Sequence, residues 1–219
     1  AAISKAGENG EMQPEKAQQV KQALAANDGR KRIIIDAGHG GADVGTTGVS
    51  TGRQEKEVNL EIAKKLQNIL EGKGYEVIMT RTTDDMIAST KEEDMRKRED
   101  IIKDADADMF VSIHQNFFEK DEDVSGPQVF YRDQTAKGYE LAQYMQEELN
   151  GRLEINVPRD VNAGDYQLLR PGEQASVIVE CGFFSNPQEE QKLQEDGYQQ
   201  AIVEAVDAGI GRYFLEKGQ

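Results

Sequence analysis

A chain of 219 residues is long enough to bury one well-packed domain with a tail to spare, and short for two. Its 41 acidic against 26 basic residues leave a net charge of -15, which repels nucleic acid phosphates and anionic lipid headgroups, so no nucleic acid partner is expected. No run approaches the roughly 18 apolar residues of a membrane span, the opening "AAISKAGENG" holds no apolar signal core, and the single cysteine, Cys181, excludes an internal disulfide or a multi-cysteine metal site.

Residues 1–30 are polar and rich in Gln, Lys and Glu, with weak helical potential from Pro14 to Ala26; they read as a tail or linker helix ahead of a domain over 31–219. From Arg32 onward, short β-branched runs alternate with helix-period segments, the pattern of an α/β domain. Strands are predicted at "RIIID", "YEVIMT", "DMFVSIH", "PQVFYR", "YQLL" and "SVIVE". In "EKEVNLEIAKKLQNILEGKGY", Val58, Ile62, Leu66, Ile69 and Leu70 share one helical face, and Gly72 and Gly74 stop the helix. Further helices are predicted over 90–104, 137–151 and 197–215.

The chain has two histidines, and both fall at strand ends: His39 just beyond "RIIID", and His114 closing "DMFVSIH". Sites in open α/β sheets gather outside the carboxyl ends of strands, so the two could converge. Two imidazoles and one carboxylate with a fourth position left for water is a zinc-hydrolase ligand set. A lone strand-end histidine is more often structural, and it is the pairing that points to metal. Glu55 is favoured as the third ligand because the helix start brings it back over the strand edge, with Glu57 and Glu61 competing on spacing. Glu180 ends the apolar "ASVIVE", a costly place for an acid unless it is paired, solvated or used. Unligated, it could take a proton from water and hand it to a leaving nitrogen.

Other features have plainer readings. "GHGGADVG" has Asp43 where a dinucleotide fingerprint needs its third glycine, so its glycines serve a tight turn or close approach. Cys181 packs as a small hydrophobe rather than acting as a nucleophile. The acids of "FEKDEDVSG" lack calcium-loop spacing and form a solvated turn.

"IIIDAGHGG", "QEKEVNLEIAKKLQNIL", "GYEVIMTRTTDD", "ADMFVSIHQN" and "SVIVECGFFSNPQEEQKL", in that order and spacing, make the chain resemble the zinc-dependent N-acetylmuramoyl-L-alanine amidases of the type-3 catalytic domain over residues 32 to about 215. The resemblance implies a twisted, mostly parallel six-stranded sheet flanked by helices in a single domain. It implies zinc on His39, Glu55 and His114, deciding Glu55 over its neighbours, and Glu180 as catalytic acid/base. The substrate implied is peptidoglycan, cut between N-acetylmuramic acid and the first L-alanine of the stem peptide. Asn116 and Arg170, close in sequence to site elements, are expected at the substrate. Departures from the family pattern are Ala37, Gln115 and Cys181; Gln115 is expected to alter the substrate rim. The segment after His114 is too short for the inhibitory helix of some relatives. The run from "TRTTDD" to "SIHQN" is most similar to the sporulation and germination branch, which implies an extracytoplasmic location (cell wall, periplasm or the space between forespore and mother cell) and an activating lipoprotein partner.

Overall fold

Three consecutive isoleucines leave a strand no polar face, so the strand that holds them must be covered on both sides. In the computed structural model, which describes residues 29–155 and 157–218, Ile33, Ile34 and Ile35 are fully buried. The expected helix over Pro14–Ala26 lies outside the described residues.

The strands are β1 (Arg32–Ala37), β2 (Glu76–Met79), β3 (Met109–Asn116), β4 (Gln128–Tyr131), β5 (Asn162–Ala163) and β6 (Ala175–Phe183). They form one sheet in the order β2-β1-β3-β6-β4-β5, parallel except where β4 runs against β6. The helices are α1 (Glu55–Gly72), α2 (Lys91–Asp104), α3 (Gly138–Arg152), α4 (Pro187–Lys192) and α5 (Asp196–Glu216). The expected α/β sheet flanked by helices is the observed architecture.

Strand alternation divides the core in two. Ile33, Ile35, Met109, Val111, Ile113, Val177 and Val179 join the faces of α1, α3 and α5. Ile34, Phe110, Phe130 and Ile178 form a smaller cluster with Ile102 of α2 and with Leu168 and Leu169. The same parity sends Asp36, Ser112, His114 and Glu180 toward the smaller cluster's side. Register then aligns them: Asp36 pairs with Ser112, and His114 with Glu180 on the next strand. On α1, Val58, Ile62, Leu66 and Leu70 are fully buried, while Ile69 is only half-buried at the margin.

Two expectations are corrected. "YQLL" is not a strand: Gln167–Leu169 is a single 3-10 turn, and the fifth strand is Asn162–Ala163. A strand would turn successive leucines to opposite faces, whereas this turn buries both Leu168 and Leu169. The last strand does not stop at Glu180 but continues to Phe183. Helix α4, too short to show a period, was not expected; Asn186 caps it by accepting N–H bonds from Gln188 and Glu189, with Pro187 at its first position.

Because both leucines of the turn face the core, Leu168→Ala and Leu169→Ala are each expected to cost about 2–5 kcal/mol in denaturant unfolding. A strand there would make one of the two nearly neutral.

Candidate active site

His39 stands two residues beyond β1 with φ +63, a left-handed conformation that a non-glycine residue adopts only when its surroundings hold it there. The hold comes from two arginines, each 1% exposed. Arg98 of α2 donates to the carbonyls of Ala37 (2.9 Å) and His39 (2.7 Å). Arg81, just after β2, donates to the carbonyls of Ala37 (2.8 Å) and Gly38 (3.0 Å). Asp36 anchors Arg98 at 2.6 Å and also accepts the hydroxyls of Thr80 and Ser112, while Asp94 takes the arginine's Nε at 2.7 Å. Burial works against Asp36's charge, but Arg98, Ser112, His114 and Thr80 outweigh it and bring its pKa down to about 2.

Glu55 opens α1. Its main-chain N–H donates to Thr46 O, and its carboxylate accepts N–H bonds from Thr46 (2.8 Å), Gln115 (3.0 Å) and the Asn59 amide (3.2 Å). Against it stand both histidines, His39 Nε2 at 3.3 Å and His114 Nδ1 at 3.0 Å. Among the described residues, His39, Glu55 and His114 form a group whose potential ligand atoms all lie within 4.8 Å of one another. The far nitrogen of His39, Nδ1, is 2.9 Å from Asp43, which fixes the tautomer that leaves Nε2 for the cluster. Space is made by glycine at two points: a Cβ on Gly38 would collide with the His114 ring, and one on Gly45, at φ +70, would collide with Glu55 and His39.

Glu57 and Glu61 are excluded from this cluster by their own partners. Glu57 accepts the Gln54 N–H in the capping box that starts α1, and Glu61 takes Arg53 and Gln199. Glu180 is beside His114 through the β3–β6 register, and its Oε2 is buried with no hydrogen-bond partner. Burial raises its pKa to about 7, with Glu55 adding to the shift and His114 and His39 opposing it. Burial disfavours charge on His114 too, but the hydrogen bond and charge of Glu55, with Glu180 and Asp36, carry its pKa to about 9. For Glu55, burial is outweighed by hydrogen bonds from His114 and His39, which hold it far below the carboxylate range. A cavity of about 210 Å³ opens beneath the two imidazoles, lined by Asp36, Arg98, Ser112, Tyr166, Leu168 and Ile178 among others.

A family profile for N-acetylmuramoyl-L-alanine amidases matches residues 33–212. The chain belongs to this amidase family. The family's reaction is hydrolysis of the amide between N-acetylmuramic acid and L-alanine in peptidoglycan, and it is the reaction of this protein. The germination-specific amidase of Bacillus subtilis is 35% identical over 196 residues, 86% of this chain and 81% of its own. The CwlD amidase of Clostridioides difficile, solved in complex with the GerS lipoprotein, aligns with a TM-score of 0.82 and 36% identity over 85% of this chain and 100% of that one. An N-acetylmuramoyl-L-alanine amidase from Clostridium difficile 630 aligns with a TM-score of 0.80 and 33% identity over 86% and 99%.

The remaining sequence candidates hold protein partners of their own. Asn116 ends β3 with its side-chain oxygen accepting the Phe117 N–H, and Arg170 forks onto Asp165 at an exposed position. Gln115 is not at a substrate rim: it is 3% exposed and donates to Asn59 behind Glu55. Cys181 is fully buried, and burial pushes its thiol up, as expected of a packing residue. A larger cavity of about 410 Å³, between the 122–126 segment and the start of α4, includes none of the four site residues. Sequence reading assigned no supporting role at the histidines to Asp43, Arg81 or Arg98. Only Asp43 carried a signal, its i+4 spacing from His39.

Glu180 and His114 each bind a proton more tightly in the folded chain than their ordinary values of 4.5 and 6.5. The stability Glu180 contributes is complete below 4.5 and lost as pH rises through about 7; that of His114 is complete below 6.5 and lost through about 9. Glu55 and Asp36, both shifted down, change protonation below this window and do not offset the loss. Chelator-treated protein is therefore expected to melt at progressively lower temperature from about pH 5 to 9. Glu180→Gln should flatten the lower half of that fall, and a Tm rising with pH across the window would contradict the assignment.

Proposed function

We propose that this amidase is a zinc enzyme whose catalytic domain spans residues 31–219, with His39, Glu55 and His114 as the metal ligands and Glu180 as the proton-transfer group. The donor set fits the ion: two imidazoles, one turned by Asp43 to offer Nε2, and a carboxylate already held in its ionised form by its neighbours. Zinc, when bound there, supplies Lewis acidity toward the scissile carbonyl and toward water.

The observation that carries the reading is Glu180. A half-buried acid whose Oε2 is shut away from solvent without a hydrogen-bond partner, one strand from His114, is unexplained by packing and suited to exchanging a proton with a reacting group. Its carboxylate takes a proton as water adds to the carbonyl carbon of the lactyl group. The same carboxyl returns that proton to the L-alanine nitrogen as the C–N bond breaks. The products are a lactyl carboxylate on the glycan and a free stem peptide. The cavity lined by both imidazoles, with Tyr166 and Leu168 on its wall, gives room beside two of the three proposed ligands. Asn116 and Arg170 are proposed as substrate contacts: the first is two residues beyond His114, and the second follows the turn that helps line the cavity.

The likeness to a germination-specific amidase and to one crystallised with a lipoprotein supports a spore-cortex role outside the cytoplasm, with peptidoglycan as substrate and an activating lipoprotein as partner. No helix among the described residues is long and apolar enough to cross a membrane.

With purified peptidoglycan and zinc, wild type is expected to release stem peptides beginning at L-alanine, identified by mass spectrometry. Glu180→Ala should lower turnover by about 10²–10⁴-fold while retaining zinc. Equal activity in the variant would remove Glu180 from the reaction.

A further inference from the structure

Resting on the ligand assignment above, we infer that Arg81 is a positioning residue for the metal centre: one guanidinium ties the His39 loop to the Glu55 helix and so sets the spacing of two ligands. Its Nε donates to Ala37 O at 2.8 Å, and its Nη2 donates both to Gly38 O at 3.0 Å and to Lys56 O at 2.7 Å. Ala37 and Gly38 lead directly into His39, and Lys56 follows Glu55. Arg98 grips the first of these segments alone, through Ala37 O and His39 O. The remaining Arg81 bond goes to Thr83 O at 2.8 Å, so all of its hydrogen bonds among the described residues end on main-chain carbonyls.

That choice of partners is informative. A guanidinium taken out of water is ordinarily matched by a carboxylate, and a buried charge on neutral carbonyls is a poor way to gain stability. Burial and the neighbouring Arg98 bring even this arginine's pKa down to about 10. What the arrangement provides is geometry. The planar fork fixes three carbonyls from two segments relative to one another, at a point where His39 holds a left-handed conformation and Glu55 begins a helix. Asn59 reinforces the same link, donating to Gly38 O and to Glu55 Oε1, each at 3.2 Å. Lysine in place of Arg81 keeps the charge but cannot present the fork.

The test measures zinc dissociation constants by chelator competition, with circular dichroism of the metal-free proteins establishing that each is folded. Arg81→Lys is expected to weaken zinc binding about 10–100-fold in folded protein. Affinity within twofold of wild type overturns the proposal, because a residue serving only the fold lowers Tm without changing the affinity of the folded fraction. Should Arg81→Lys fail to fold, the wild-type chain still decides. Coupling is reciprocal, so zinc must tighten Arg81's grip, slowing hydrogen exchange of its Nε–H by at least about tenfold. Exchange unchanged by zinc overturns the proposal. His114→Ala is the control on the ligand reading: if it binds zinc as wild type does, the ligand assignment falls and the proposal with it. If only His114→Ala loses affinity, the ligands stand and the positioning role falls.

Discussion

The buried ion pair between Asp36 and Arg98 is the interaction on which the rest of the site depends. Asp36 is fully buried, and Arg98 nearly so. Such a pair is tolerable only because nearly every donor and acceptor has a partner: Thr80 and Ser112 on the carboxylate, Asp94 and two main-chain carbonyls on the guanidinium. Removing either member would strand a charge in a sheet interior. The pair also carries structural information, because Arg98 reaches past Asp36 to the carbonyl of His39. The end of β1 is thereby fixed to α2, and the imidazole is delivered to one place.

From that fixed point the site is assembled by register. His114 and Glu180 are neighbours because β3 and β6 are parallel and in register, and Asp36 and Ser112 share the same face by the same rule. Glu55 arrives on a helix rather than from a strand end, on the first turn of α1, and its carboxylate receives several hydrogen bonds. Its carboxylate faces Thr46, Asn59, Gln115 and both imidazoles. Low local dielectric sharpens all of these interactions. It explains why two carboxylates in one site are driven in opposite directions: Glu55, surrounded by donors, is held ionised, and Glu180, with an oxygen that has none, favours its proton.

The legible parts of the sequence were those in which a residue's chemistry contradicts its local pattern. Histidines at the ends of apolar runs and an acid inside "VIVECGF" stand out because apolar strands rarely keep such groups idle. Helix α1 was legible from its four-residue apolar spacing, β1 and β6 from their runs of β-branched residues, and β3 from the largely apolar stretch that leads to His114. The turn at Gln167–Leu169 was misread because a pair of leucines beside a tyrosine looks like a strand edge. Only the pocket under Ile34 and Phe110 explains why both leucines face inward. Arg81 and Arg98 were illegible for a related reason: they sit in polar, charge-rich stretches where a solvated arginine is the ordinary expectation, and nothing local signals that two distant carbonyl-bearing segments close over them. Gln115 was expected at a rim as a departure from the family pattern, yet strand alternation turns it to the opposite face, behind Glu55.

That β6 runs on beyond Glu180 changes how its role is understood. A carboxylate at a frayed strand end could swing away from His114, and its proton affinity would then be that of a solvated acid. Glu180 instead sits between two paired neighbours, His114 on β3 and Gln128 on β4, with Cys181, Gly182 and Phe183 continuing the strand. Its main chain is held from both sides, and Phe183 is fixed in turn by its N–H bond to the buried Glu189. The point from which the carboxyl projects is therefore fixed beside His114. A fixed attachment point limits how far the backbone must reorganise if the group is to take a proton in one half of a reaction and return it in the other.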